Sequence, residues 1–288
     1  MNYTEFKATA QTRLSEWIRT FHPDIEDGKY KYKNTEVRHG HILPLGNYAK
    51  GERKEAIIAA IRKYRVLTDN VKLNLAVLPK AELHTLANHL TSSQILCYNF
   101  FGLLLGKEMS DKRAIKISPE LRQWLINSFS DIPHVSEYAK CEFEFKFNDE
   151  EGTSLDFCVI DDVATIMFEI KYTENGFGIA KNDPNHTKKF DDVYSRLLNQ
   201  QDTVRPDVDP QTFFNNYQLF RNAIRTNENC YAVFVFPENN KICCNQFERF
   251  ISSEWIVHPG RLKCLTWEDA FSNSVVTAHS ELRQKYGL

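Results

Sequence analysis

Hydrophobic and polar residues alternate most strictly between residues 141 and 171. CEFEFKF, residues 141–147, predicts a strand with Glu142, Glu144 and Lys146 on one face. Leu155, Phe157 and Val159 then alternate with Asp156, Cys158 and Ile160. Beyond Asp161-Asp162, Ile166, Phe168 and Ile170 alternate with Met167, Glu169 and Lys171. Two such runs around a short polar break predict a hairpin. If Asp161-Asp162 is the whole loop, Asp156 faces Met167 and lies diagonal to Glu169, roughly 7–8 Å away on the same face. Lys171 follows on that face by the period of two. A four-residue loop keeps the shared face, whereas an unbulged three-residue loop breaks it.

Other segments carry a helical period. Residues 3–21 predict an amphipathic helix with Phe6, Leu14, Trp17, Ile18 and Phe21 on one face. Residues 22–50 are rich in turn formers and basic residues and read as extended or loop. Residues 52–67 predict a helix with a basic outer face, residues 73–78 a short strand, and residues 81–105 an increasingly apolar helical stretch in which Gln94 and Asn99 need hydrogen-bond partners. Ser118-Pro119-Glu120 has the order of a helix start, and Pro133 ends that helix. Residues 176–184 read as a polar loop beside the hairpin, a usual place for substrate contacts. Residues 190–200, 213–226 and 247–255 read as helices. Residues 230–237 read as a strand buried on both faces, residues 261–266 as a short strand, and residue 267 as the start of a last helix. From Ser118 the order is helix, three strands, helices, strand, helix, strand, which is a mixed-sheet α/β core.

Composition narrows the class. The chain has 288 residues, 42% hydrophobic and 26% charged, with a net charge of -2. It has no bulk electrostatic pull toward nucleic acid, but a local basic groove is compatible with that balance. The seven cysteines form no C-x-x-C and sit mostly in apolar runs, which points to buried reduced thiols in a cytoplasmic protein. The first residues lack a signal-peptide core, and the longest apolar run, 95–105, is too short to span a bilayer. We therefore expect no membrane association.

Asp156, Glu169 and Lys171 place two carboxylates and an ammonium together among apolar strands, where charges are rare without a reason. Paired carboxylates suit a hard cation such as Mg2+. A neighbouring lysine can orient or activate an attacking water, or steady the charge of a phosphoryl transition state. A salt-bridged solvent face has the same spacing. Arg38-His-Gly-His41 offers a second pair of metal-ligand types, but without a third ligand it reads as a surface loop.

Four sequence features together resemble one family. Asp156 followed by Glu169-Ile170-Lys171 on successive strands resembles the active-site pattern of the PD-(D/E)XK nuclease superfamily. His89-Leu-Thr-Ser-Ser-Gln-Ile-Leu-Cys-Tyr-Asn-Phe-Phe101 and Tyr217-Gln-Leu-Phe-Arg-Asn222 resemble helices of a bacterial restriction-endonuclease-like branch, as does the extended EIKYTE. The superfamily's Pro-Asp pair is absent here, with Leu155 preceding Asp156.

The resemblance implies a restriction-endonuclease-like α/β core over residues 85–288, with a mixed sheet flanked by helices. Residues 1–84 would form a mostly helical region that contacts DNA or dimerises. It also implies a Mg2+-dependent endonuclease (Mn2+ can substitute) that hydrolyses DNA phosphodiester bonds in restriction or defence. Asp156, Glu169 and the Ile170 carbonyl would bind the metal, and Lys171 would position or activate the water. Glu144, Gln218 and Arg221 are accessory candidates. A homodimer is expected, because cutting both strands needs two sites or two nicks. A repair or RNA-directed nuclease would have the same site, and a silent binding module the same fold. Because Lys171 is expected on a polar face, its loss should open no apolar cavity.

Overall fold

The computed structural model describes residues 1–32, 35–67, 83–109, 114–147, 151–276 and 280–288. The strand expected over residues 73–78 lies outside them. Helix α1 is Tyr3–Phe21, capped by an Asn2/Glu5 capping box, and it buries Phe6, Ala10, Leu14 and Ile18. Phe21 does not join that face: it is exposed at the helix end and its ring lies 5.4 Å from that of Trp17. The basic segment that follows contains a hairpin, β1 (Gly28–Tyr32) and β2 (Thr35–His39). Helix α2 is Arg53–Lys63 and helix α3 is Ser93–Leu105. α3 starts later than its composition suggests, because Ser92 caps it and accepts the Ile95 N–H. It is predominantly apolar, and every residue but Ser93 and Leu103 is buried, as in a central helix.

Next come β3 (Ile115–Lys116), α4 (Pro119–Ser128), β4 (Lys140–Lys146), β5 (Ser154–Ile160) and β6 (Thr165–Ile170). The 184–198 stretch is α5 (Pro184–Lys189), a π turn (Phe190–Tyr194) and α6 (Ser195–Leu198). The helix expected over 213–226 is two pieces, α7 (Pro210–Asn215) and α8 (Tyr217–Ala223). Asn216 leaves helical geometry between them and its amide donates back to the Thr212 carbonyl at 3.2 Å. β7 is Cys230–Phe236. α9, Lys241–Ile251, begins earlier than expected because Asn240 caps it. β8 (Leu262–Thr266), α10 (Trp267–Ser272) and α11 (Ser280–Tyr286) complete the chain.

The main sheet has the order β3-β4-β5-β6-β7-β8, antiparallel through β6 and parallel from β6 to β8. This is the mixed α/β sheet expected. One face packs on an apolar cluster that includes residues of α1, α2, α3, α4, α10 and α11, from Phe6 to Tyr286. The other face packs on residues of the π turn and α6 to α9. The first cluster is rich in aromatic contacts. Phe101 of α3 stacks on Phe157 with ring centroids 4.0 Å apart. Burying one such ring stabilises the fold by roughly 1.5–3 kcal/mol.

The β5–β6 loop has four residues, since Ile160 pairs with Thr165 and Phe157 with Phe168. Carried one step further, that register sets Asp156 opposite Glu169 rather than diagonal to it. Alternation itself fails on the two strands nearest this point. Phe143 lies in the first core cluster, whereas Phe145 packs on the second. On β5, Phe157 lies in the first and Leu155 in the second. The cross-strand pairs Phe143–Phe157 and Phe145–Leu155 are nevertheless both kept. The crossover residues are Glu144, at φ +49°, and its neighbour Asp156. Glu142, Glu144 and Lys146 therefore do not form the regular face that strict alternation predicts, and Leu155 does not share a face with Phe157. A left-handed non-glycine residue costs roughly 1–2 kcal/mol. Here the Glu144 carboxylate offsets that cost by accepting from Gln94 Nε2 at 2.7 Å and from Ser154 Oγ at 2.9 Å.

Candidate active site

The crossover collects charge at one place on the sheet. Asp156 Oδ2 accepts the Ile170 backbone N–H at 2.7 Å, where regular β5–β6 pairing has ended. Glu169 is buried, and both its oxygens are engaged. Oε1 accepts from Lys171 Nζ at 2.7 Å, and Oε2 accepts from Asn222 Nδ2 at 3.0 Å and Arg221 at 3.3 Å. Lys171 is also buried, its carbonyl accepts the Trp267 indole N–H at 2.9 Å, and its ammonium lies 5.9 Å from the Phe177 ring centre. The structure thus brings Asp156, Glu169 and Lys171 together, with Glu144 on the adjoining strand.

The two carboxylates are driven in opposite directions. Burial and the charges of Glu169 and Glu144 raise the pKa of Asp156 well above the ordinary range, against the pull of Lys171. Burial also disfavours ionised Glu169, but Lys171, Arg221 and the hydrogen bonds from Lys171 and Asn222 outweigh it and lower its pKa. Burial opposes the charge on Lys171, yet Glu169, Asp156 and Glu174 raise its pKa. The metal-free site therefore favours a proton on Asp156, a charged Glu169 and a charged Lys171. Such separation of neighbouring acids is a mark of functional sites.

The accessory candidates divide. Arg221 is buried against Glu169 and also donates to the Ser154 carbonyl at 3.5 Å. Glu144 is held by Gln94, which also accepts the His84 N–H at 2.9 Å and so ties the 83–86 loop to the cluster. Gln218 makes no bond to the carboxylates. It grips the loop after β6, accepting the Gly178 N–H at 2.7 Å and donating its own N–H to the Gly178 carbonyl at 3.3 Å. Asn222 escaped the sequence reading as a site residue, although it closes the Tyr217–Asn222 segment. Its one-turn offset from Gln218 on a short helix was the available signal.

A second buried network adjoins the first. Glu151 accepts from Tyr194 OH at 3.0 Å and Arg225 at 3.4 Å, and Tyr194 and Tyr217 share a 2.6 Å hydrogen bond. Its charge also acts on Arg221. Glu151 had no sequence signal, because Tyr194 and Arg225, which tie it to this network, lie 43 and 74 residues away.

The donor set meets the needs of a small hard cation. Asp156 and Glu169 supply two carboxylates, and the repulsion that raises Asp156 is what a cation would relieve. Mg2+ takes one or two carboxylates and fills its shell with water and phosphate oxygens. No group of three or more His, Cys, Asp or Glu side chains placed for a metal occurs among the described residues. His39 and His41 have ring centres 5.1 Å apart, and burial with nearby cationic groups pushes His41 down to about 4. All seven cysteines are free thiols, five of them buried. Among the described residues no helix is long and apolar enough to cross a membrane.

A family model described as REase-ARP, Restriction Endonuclease associating with ARP, matches residues 12–287. Neither the curated proteins nor the solved structures include a significant match.

Proposed function

The chain belongs to the family of restriction endonucleases associating with ARP, and from that premise we propose that it is a Mg2+-dependent endonuclease that hydrolyses DNA phosphodiester bonds. The observation that carries this reading is the convergence of Asp156, Glu169 and Lys171 where β5 and β6 part. The family description supports a role in restriction, and so in defence against foreign DNA.

In this reading Asp156 and Glu169 hold the cation, with the Ile170 carbonyl as a third ligand, and Mn2+ can replace Mg2+. The bound cation supplies charge neutralisation and polarisation at the phosphoryl group. Asn222 and Arg221 fix the rotamer of Glu169 and keep it ionised. The Ile170 N–H orients Asp156. The raised pKa of Lys171 supports a role as an ammonium that orients the attacking water and steadies developing negative charge, rather than as a base. Glu144 tunes Asp156 through its charge. Two such sites in a two-fold dimer would cut both strands. The free thiols are in keeping with action in the cytoplasm.

The test is incubation with methylated and unmethylated supercoiled plasmid, and with structured RNA, with and without Mg2+. Nicked or linear plasmid in the Mg2+ arm is expected. Intact plasmid in every arm, with Mn2+ also tried, would remove the reading.

A further inference from the structure

After Lys171 the chain enters residues 176–180, a loop fixed on both sides of a single exposed side chain. The Phe177 N–H donates to Gln246 Oε1 at 2.7 Å, and the Gly178 N–H donates to Gln218 Oε1 at 2.7 Å. The Gln218 N–H returns a bond to the Gly178 carbonyl at 3.3 Å, and the Ala180 N–H donates to the Phe214 carbonyl at 2.9 Å. Gly176, at φ +84°, lies so close to α9 that a Cβ there would meet Gln246 Oε1 at 2.2 Å. Phe177 is buried. Ile179, between the bound residues Gly178 and Ala180, is 72% exposed, more than any other large aliphatic side chain among the described residues.

A lone exposed aliphatic residue needs no explanation. This one differs in its support and its position. Its backbone neighbours are immobilised by α7, α8 and α9, so the side chain is held out at a fixed place instead of folding back. The brace from Gln218 belongs to α8, the helix whose next turn carries Arg221 and Asn222 onto Glu169. Phe177, two residues before Ile179, has its ring 5.9 Å from Lys171 Nζ. Two residues span at most about 7 Å, and a DNA strand advances about 3.4 Å per nucleotide. Ile179 therefore stands within a few base steps of a phosphate at the carboxylate cluster.

We propose that Ile179 is an apolar wedge that enters the base stack of duplex DNA beside the phosphate held at Asp156 and Glu169. The proposal rests on the endonuclease reading above. Its partner follows from the chemistry: the inner surface of a base step accepts an aliphatic side chain and the duplex kinks in return. A rigid backbone is required, because a mobile side chain would yield before the stack did.

The experiment uses the full chain. Wild type, Ile179→Ala and Tyr138→Ala are compared for plasmid cleavage in Mg2+. Binding is then read in Ca2+ on duplexes that span a mapped cut site, with 2-aminopurine placed at successive steps. Tyr138 serves as control because it is 74% exposed on the segment that leads into β4, beside the β5–β6 turn and away from the carboxylates. Wild type and Tyr138→Ala should bind alike and brighten 2-aminopurine at one step. Ile179→Ala should bind about tenfold more weakly and lose the brightening, and a mismatch at that step should restore most of its affinity. The inference is overturned if wild type cuts DNA while Ile179→Ala binds and brightens as wild type does, or if Tyr138→Ala weakens binding equally. A wild type that cuts no DNA refutes the endonuclease reading instead.

Discussion

Asn222 Nδ2 donates to Glu169 Oε2 at 3.0 Å, and the other end of the same amide, Oδ1, is buried and has no hydrogen-bond partner among the described residues. A charged carboxylate can only accept, so Glu169 fixes which way the amide points. The fold leaves Oδ1 unsatisfied rather than lose this donor. That arrangement marks Asn222 as a positioning residue for Glu169.

Asn222→Ala should therefore impair function more than stability. A hydrogen bond to a charged group contributes roughly 1.5–3 kcal/mol, but the orphaned Oδ1 disappears with it, so the net loss should be about 1 kcal/mol. Without this donor the pKa of Glu169 should rise. Positioning residues of this kind are worth about 10–100-fold in metal affinity or activity. The Mg2+ concentration for half-maximal cleavage, measured at two pH values, should rise and rise further at the lower pH. An unchanged Mg2+ requirement at both would show that Asn222 does not tune Glu169.

The opposed shifts of Asp156 and Glu169 set the pH behaviour of the metal-free protein. Asp156 has a raised native pKa, so its contribution to stability is full below the unfolded value of about 4 and is lost as pH rises through its native value. Glu169 has a lowered native pKa, so its contribution is present above the unfolded value and is lost only as pH falls through the lowered one. Above the unfolded value, the metal-free melting temperature of wild type relative to that of Asp156→Asn should fall with pH until Asp156 has ionised, a comparison in which the opposite contributions of His41 and His89 cancel. The gain on adding Mg2+ should grow over the same window. Asp156→Asn should abolish the Mg2+ gain. Metal-free profiles of wild type and Asp156→Asn that run parallel would contradict this assignment.

These two residues also show what a sequence can carry. The period of two located both strands and put Asp156, Glu169 and Lys171 within reach of one another, because alternation is written residue by residue. The reversal at Glu144 was not legible. A glutamate at φ +49° has no sequence mark, and the bonds from Gln94 and Ser154 that sustain it come from 50 and 10 residues away. The same limit hid Asn222 and Glu151, whose bonds to Glu169 and to Tyr194 and Arg225 reach across the fold. The helix start at Ser118 was legible because Pro119 and Glu120 accompany its cap, whereas the caps Ser92 and Asn240 and the break at Asn216 have no such companions. Gln218 lay on the expected helix, but its target, the Gly178 loop, depends on how α8 sits over β6.

The loop after β6 should tolerate little at Gly176. Gly176→Ala would place an L-residue at φ +84° and a Cβ at 2.2 Å from Gln246 Oε1. The backbone strain alone costs about 1–2 kcal/mol, and Gln246 must also release the Phe177 N–H. Plasmid cleavage should fall at least tenfold while the Mg2+-induced rise in melting temperature persists, because the carboxylates are untouched. Gln246→Ala, which removes the brace but keeps the glycine at residue 176, should lower cleavage less than Gly176→Ala. Equal losses in the two variants would mean that the glycine conformation is not what the loop requires.

Lys171→Ala separates structure from chemistry less cleanly than its sequence position implies. On an exposed polar face its removal would leave the fold untouched, but Lys171 is 6% exposed and pairs with buried Glu169 at 2.7 Å. Breaking a buried pair from one side costs about 3–5 kcal/mol. Arg221 and Asn222 still neutralise the other oxygen of Glu169, so the lower end applies. The native pKa of Lys171 is raised, so its contribution is full below the unfolded value of about 10 and is entirely present at neutral pH. At about 2–4 °C per kcal/mol for a chain of this size, the metal-free variant should melt roughly 6–12 °C below wild type. Mg2+ should recover much of that difference, because the cation replaces the missing positive charge beside Asp156 and Glu169. Cleavage should not return with it, since the cation cannot take over the lysine's place beside the attacking water. Thermal melts and plasmid assays on the same samples distinguish the outcomes. A variant that melts low with and without Mg2+ makes Lys171 a structural ion-pair partner, and one that still cuts at the wild-type rate removes it from the reaction.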